Sequence, residues 1–266
     1  MISPNTSQVN SIDRKEFLID DLLRIEDDPA ILDFRCPTTG LPLWIHVRIP
    51  IFRMIILDAL YRTALVDVTN APVGLGQKLA TLGRSLLHNV KFQPPSRKSE
   101  VCLISPGIGN QWLDGRWFNR LTDHFCYLDP HNTLVLEDHF QWRWQFPRAN
   151  NRVMFLAPRR AYNVVIGKLT TGTKERNLAR RFLDFVCART EHCLNWKVPS
   201  ELATKLVDEL ARKIASAPQE HRRYQKLLKE IGPKLVMVGA APYGGLYATF
   251  IDAARRMGIP TAEYQH

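Results

Sequence analysis

The stretch of sequence that most constrains the fold is the last one, residues 234–266, which reads KLVMVGAAPYGGLYATFIDAARRMGIPTAEYQH. An apolar strand over 235–238 breaks into a small-residue turn carrying Pro242, Gly244 and Gly245. A helix then runs to Met257, and Gly258 and Pro260 stop it before a second short strand directed toward Tyr264. This is a strand–helix–strand unit of α/β type, with its ligand-facing turn at the carboxyl end of the first strand. Parallel strands of this kind are buried on both faces, so the preceding chain has to supply more strands and the helices that cover them.

It does so from residue 101 onward. The segments VCLISP (101–106), TLVLED (133–138) and VMFLAP (153–158) read as short buried strands, separated by helical or long connections. Residues 113–125 read as a helix. Three further helices are expected before the closing unit: one over about 174–190, one starting at Ser200, and one over about 217–231. The last has Ser216 and Gln219 spaced as a capping box and Gly232-Pro233 as its stop. The fold class is α/β, a Rossmann-like and mostly parallel sheet with helices on both faces.

Upstream of residue 95 the pattern is helical, and KFQPPSRKSE (91–100) reads as the linker. The organisation is therefore an N-terminal helical extension, 1–95, followed by the Rossmann-like unit, 96–266. Within the extension, 11–26 is amphipathic, and 71–89 steps Leu75, Leu79, Leu82 and Leu86 along one face. The most apolar part is 44–66, where Pro50 is placed to open a helix. Two readings meet there: a face lying in a membrane interface, or a face packed on the rest of the protein. Its width favours packing.

A formal net charge of +10 points to anionic partners such as acidic or phosphorylated sugars, anionic lipid or nucleic acid. The bland alternative is a solvated basic surface. Residues 1–33 hold three basic and eight acidic side chains, which leaves about +15 for the remainder. The five cysteines, Cys36, Cys102, Cys126, Cys187 and Cys193, are odd in number and irregular in spacing, and they read as reduced thiols of a cytoplasmic protein. Cys187, His192 and Cys193 lack the paired spacing of a zinc site, and no G-x-S-x-G elbow is present. No metal or cofactor is expected.

Ligands of a doubly wound sheet gather beyond the carboxyl ends of its strands, and four such ends carry suggestive residues. After the first strand, the turn through Gly107, Gly109 and Asn110 offers backbone N–H groups with little side-chain bulk. After the second, Glu137 and Asp138 are candidate general bases, followed by His139. HFQWRWQFPR (139–148) interleaves aromatic and basic residues; it suits stacking on a sugar or base, or a hydrophobic plug under a loop. The closing unit adds Tyr243, Gly244 and Gly245 at a helix N-terminus, and Gln265 and His266 after the last strand.

The run AARRMGIPTAEYQH, together with VMVGAAPYGG before it, resembles the end of the N-terminal domain of GT-B fold glycosyltransferases that build bacterial capsule and surface polysaccharides. ISPGIGNQWLDGRWFNRLTDHF (104–125) and LPLWIHVR (41–48) extend the likeness more loosely. The resemblance implies an acceptor-binding half, whose partners are a glycan acceptor and a nucleotide-sugar donor held by a second, C-terminal domain. It implies His266 as base or phosphate contact and Gln265 beside it in the cleft. It further implies a truncated chain that does not turn over alone, and a cytoplasmic location, peripheral at the inner face of the membrane. Nucleic acid is not expected as a partner. The competing reading is a non-catalytic Rossmann-like module that binds anionic glycan or nucleic acid.

Overall fold

A computed structural model describes residues 19–60, 73–91, 98–239 and 247–264. Five strands form one parallel sheet: β1 (Val101–Ser105), β4 (Thr133–Glu137), β5 (Val153–Phe155), β6 (Leu235–Gly239) and β7 (Thr261–Tyr264). Their order is β5-β4-β1-β6-β7, so the chain builds outward from β1 on one side and then returns to build on the other. That reversal is the hallmark of a Rossmann-like sheet.

Alternation along the strands sends side chains to two cores. Cys102, Ile104, Leu134, Leu136, Val236 and Val238 face one way, toward helices α8 (Ser200–Ile231) and α9 (Ala248–Arg256). Leu103, Val135, Val153 and Phe155 face the other, toward α5 (Asp123–Leu128) and Trp144. The helix-on-both-faces expectation therefore holds. The closing unit also forms as read, with β6, α9 and β7 in succession and Gly258 in a left-handed conformation after the helix.

A third core lies among helices. Trp44, Val47, Ile51 and Ile55 of α3 (Trp44–Leu60) are buried against Phe182 and Val186 of α7 (Thr173–Leu194) and Leu206, Leu210 and Ile214 of α8. Ile25 and Ile31, from the region of the short helices α1 (Ile19–Leu23) and α2 (Pro29–Leu32), complete it. The helices before residue 96 thus share one core with helices from beyond it. Over residues 44–55 this is the packed reading of the 44–66 segment, of which 61–66 lie outside the described residues, and Glu26 pins it further by accepting from Trp44 Nε1 and pairing with Arg48.

Two helix boundaries differ from the sequence reading, whereas the stops at Gly232-Pro233 and Gly258–Pro260 hold. Pro50 sits inside α3 rather than at its start, and Pro218 sits inside α8, where residues 200–231 form one helix instead of two. No capping box forms; the Ser216 hydroxyl donates back to the Lys213 carbonyl. The reason is packing: α8 buries Ile214 and Ala217 in the helical core and Tyr224 and Leu227 in the sheet core. Burial on either side of Pro218 offsets the cost of its missing N–H. Helix α6 (Ala157–Thr170) was not anticipated; Gly167 within it lets it cross α8 closely, since a Cβ there would lie 2.9 Å from the Arg212 carbonyl oxygen.

Residues 113–125 are not one helix. They belong to a hairpin of β2 (Asn110–Leu113) and β3 (Arg116–Asn119), followed by α5. Asp114 and Gly115, with φ of 48° and 76°, make its two-residue turn. Asp-Gly between alternating residues is the standard signal for such a turn, because both central positions need positive φ.

The leucine stripe of α4 (Leu75–Lys91) has the opposite orientation from the core-facing one its spacing suggests. Thr81 and Ser85 are buried, while Leu75, Leu79 and Leu86 are more than half exposed. Edge strand β5 dictates this, because its outer backbone groups need partners. Asn89 supplies two of them: Nδ2 donates to the Phe155 carbonyl at 2.7 Å, and Oδ1 accepts from the Phe155 N–H at 2.9 Å. His88 Nε2 lies 2.8 Å from the Val153 carbonyl. Asn89→Ala is expected to lower stability by about 2 kcal/mol by stripping both groups of Phe155. Urea denaturation measures it; a loss under about 0.5 kcal/mol would mean that water replaces the amide.

A candidate functional site at the carboxyl edge of the sheet

The strand order places the reversal point between β1 and β6. The crevice outside their carboxyl ends is where such a sheet takes ligands. Of the sequence candidates, Gly107, Gly109, Asn110, Glu137 and Asp138 are described there. Tyr243, Gly244, Gly245, Gln265 and His266 lie outside the described residues.

The centre of this edge is a buried polar network. Glu137 ends β4 with no exposed surface, and Arg148 grips it with Nη1 3.1 Å from Oε1 and Nη2 2.9 Å from Oε2. Arg148 is itself buried. The backbone around it is held by β3: the Trp117 N–H donates to the Pro147 carbonyl, and the Ala149 N–H to the Trp117 carbonyl. Asp123, at the start of α5, lies 3.8 Å from Arg148 Nη2 and accepts from the Asn119 N–H at 2.8 Å.

Asn110 and Asn119 link this pair to β1. Asn110 Nδ2 donates to Glu137 Oε1 at 3.0 Å and to Gln145 Oε1 at 2.7 Å. Asn119 Nδ2 donates to Asn110 Oδ1 at 2.7 Å and to the Ser105 hydroxyl at 3.0 Å. Burial pushes the Glu137 carboxyl up to about 7, against the opposing pull of Arg148 and Asn110. Burial likewise raises Asp123.

Asp138 faces a different set of partners. Arg160 Nη1 is 3.1 Å from Oδ1, and the Tyr247 hydroxyl donates to Oδ2 at 3.2 Å. Tyr247 immediately precedes α9, so Asp138 ties the start of that helix to the end of β4. Burial raises the Asp138 carboxyl, with Arg160 acting against it. His139 is stacked on Phe155 with ring centroids 4.4 Å apart, and Nε2 lies 2.7 Å from the Ser85 hydroxyl. Burial lowers His139 to about 4, so it is neutral at pH 7.

The adjacent carboxylates thus part company, as alternation along a strand requires. Glu137 enters the network under the β1 turn, and Asp138 reaches toward α6 and α9. Both are paired with arginine, and their geometry suits holding the crevice loops in place. Gly107 and Gly109 act the same way. A Cβ on Gly107 would stand 2.3 Å from the Asp138 carbonyl oxygen, and one on Gly109 would stand 3.1 Å from Asn119 Oδ1. Of the aromatic run, Trp144 is the plug, packed with His139, Phe146 and Phe155.

Sequence reasoning missed Arg148, Asn119, Asp123 and Gln145. The Asp-Gly turn could have found the first two, because it folds residues 110 and 119 side by side and gives Arg148 its strand partner. Among the described residues no group of three or more His, Cys, Asp or Glu side chains comes together to hold a metal ion, and no helix is long and apolar enough to cross a membrane. All five cysteines are free. No family model, curated protein or solved structure matches this chain.

Proposed function

We propose that the chain is the acceptor-binding half of a nucleotide-sugar-dependent glycosyltransferase in bacterial surface polysaccharide biosynthesis. The observation that supports it best is the β5-β4-β1-β6-β7 order. It sets the carboxyl ends of β1 and β6 side by side, and in sequence these lead into the two turns that carry the family resemblance, 106–110 and 240–246, the second lying outside the described residues. In this reading the acceptor glycan lies in the crevice outside those strand ends. Gln265 and His266, which follow β7 in sequence, contact it, with His266 as base or phosphate contact. Glu137 and Asp138 position the crevice loops through Asn110 and Tyr247. The nucleotide sugar is taken by a second domain, and transfer takes place at the cytoplasmic side of the membrane.

Calorimetric titration tests the acceptor half directly. Acidic oligosaccharides from bacterial surface polysaccharides are expected to bind. His266→Ala is expected to weaken binding about tenfold, or ~1.4 kcal/mol. Absence of any glycan binding, alongside salt-dependent binding of single-stranded nucleic acid, would replace this reading with the nucleic-acid module.

A further inference from the structure

Helices α6 and α8 touch closely at Gly167 and Arg212, and beside that crossing they border a cavity of about 660 Å³. Small-molecule sites run roughly from 300 to 1,000 Å³. The seam between two packed helices is ordinarily filled by aliphatic side chains. Here eight of the ten lining residues are polar or charged, and Val164 is the one aliphatic side chain among them, so the space is not a defect of apolar packing. On each helix the lining residues recur every three or four positions, which aligns them in two stripes. None of them belongs to the turn after β1.

Two of the charges are anchored from behind. Arg160 Nη1 is 3.1 Å from Asp138 Oδ1, and a third of the Arg160 side chain stays exposed. Lys213 Nζ is 2.6 Å from Glu220, which is buried. Asn163 is different: it is only 8% exposed, lines the cavity, and has no hydrogen-bond partner among the described residues. A buried amide left without a partner is costly, and it offers donor and acceptor side by side. Lys168 and Arg212 add two cations to the wall and Glu209 one carboxylate. With Asp138 counted behind Arg160, the cations exceed the carboxylates by one.

These features describe one class of ligand. A single excess positive charge favours one anionic group. The planar guanidinium groups of Arg160 and Arg212 match a carboxylate, whose two oxygens accept from such a fork. The Asn163 amide matches hydroxyl groups, which donate and accept at once. We propose that the cleft between α6 and α8 binds a small hydroxylated carboxylate of the sugar-acid type. The inference goes beyond the glycan reading, because it concerns a free monosaccharide acid and a cavity that the β1 turn does not line.

Calorimetric titration of the full chain with glucuronate tests it, with glucose and inorganic phosphate as comparisons. Glucuronate is expected to bind, glucose and phosphate to bind at least about tenfold more weakly. Asn163→Leu is expected to weaken glucuronate binding about fivefold, and Arg212→Gln about tenfold. Neither substitution strips a partner from Asp138 or Glu220, and circular dichroism checks that both variants fold. The proposal is overturned if glucuronate does not bind, or if glucose or phosphate binds as well. It is also overturned if both variants bind glucuronate like the wild type, which would place the sugar acid in the crevice and leave the glycan reading standing. Variant-sensitive glucuronate binding without any binding of acidic oligosaccharides would uphold the cleft and remove the glycan reading.

Discussion

Replacing Arg148 with methionine is expected to lower the unfolding free energy by about 3–5 kcal/mol, the cost of leaving a buried carboxylate without its partner. Glu137 has no exposed surface, and Arg148 is its bidentate counter-ion. Asp123, 3.8 Å from the same Nη2, would lose the same cation. Methionine keeps much of the volume, so the loss reports charge and hydrogen bonding more than a cavity.

The pH dependence has a definite sign. Glu137 in the folded protein is raised to about 7, above the ordinary carboxyl value of 4.5. The folded state therefore holds this proton more tightly than the unfolded state. The group's contribution is fully present below about pH 4.5 and is lost as pH rises through about 7. Removing Arg148 takes away the strongest opposing pull and moves the folded value higher still, extending the loss above pH 7. The Arg148→Met penalty should accordingly be smaller at pH 5 than at pH 8 in urea denaturation. Glu137→Gln/Arg148→Met should recover part of it at pH 8. Equal penalties at both pH values would show that the pair is not what makes Arg148 important.

The second large effect is expected at Gly107. Its φ is +68°, and an added Cβ would lie 2.3 Å from the Asp138 carbonyl oxygen. Backbone, not a flexible side-chain tip, is in the way, so either the β1 turn or the end of β4 must move. Gly107→Ala is expected to lower stability by about 3 kcal/mol, combining the left-handed conformation with steric overlap. Gly115→Ala is the control. Its φ is +76°, but nothing lies within 4 Å of its Cβ position, so it should lose only about 1 kcal/mol. If the two variants fall together, the overlap relaxes at no cost and the β1 turn is softer than its packing suggests.

Strand periodicity was legible because a buried parallel strand needs an uninterrupted apolar run. VCLIS, TLVLE and LVMVG each became a strand of the sheet within a residue of the expected bounds. The hairpin over 110–119 was legible too, through Asp114-Gly115, but an expected helix over 113–125 obscured it. Pro50, read as a helix start, and the Ser216–Gln219 spacing, read as a helix start beside Pro218, misled for a physical reason. A missing N–H is a local cost, whereas burial on both sides of Pro218 acts over the whole of α8. The leucine periodicity of α4 correctly implied a helix but not its orientation. Periodicity records which residues share a face, and carries nothing about an edge strand more than 60 residues away that needs Asn89.

The sequence by itself determined the class of fold and the carboxyl edge at which Gly107, Gly109, Asn110, Glu137 and Asp138 lie. Both follow from local patterns: apolar runs of strand length, and the glycines and carboxylates that end them. The tertiary structure decided what those residues do. Glu137 and Asp138 are neighbours in sequence, but one is locked to Arg148 and the other to Arg160 and Tyr247. Those partners lie from 11 to 109 positions away. Their meeting depends on the hairpin, on α6 and on α9 being packed around one sheet, which no local pattern encodes.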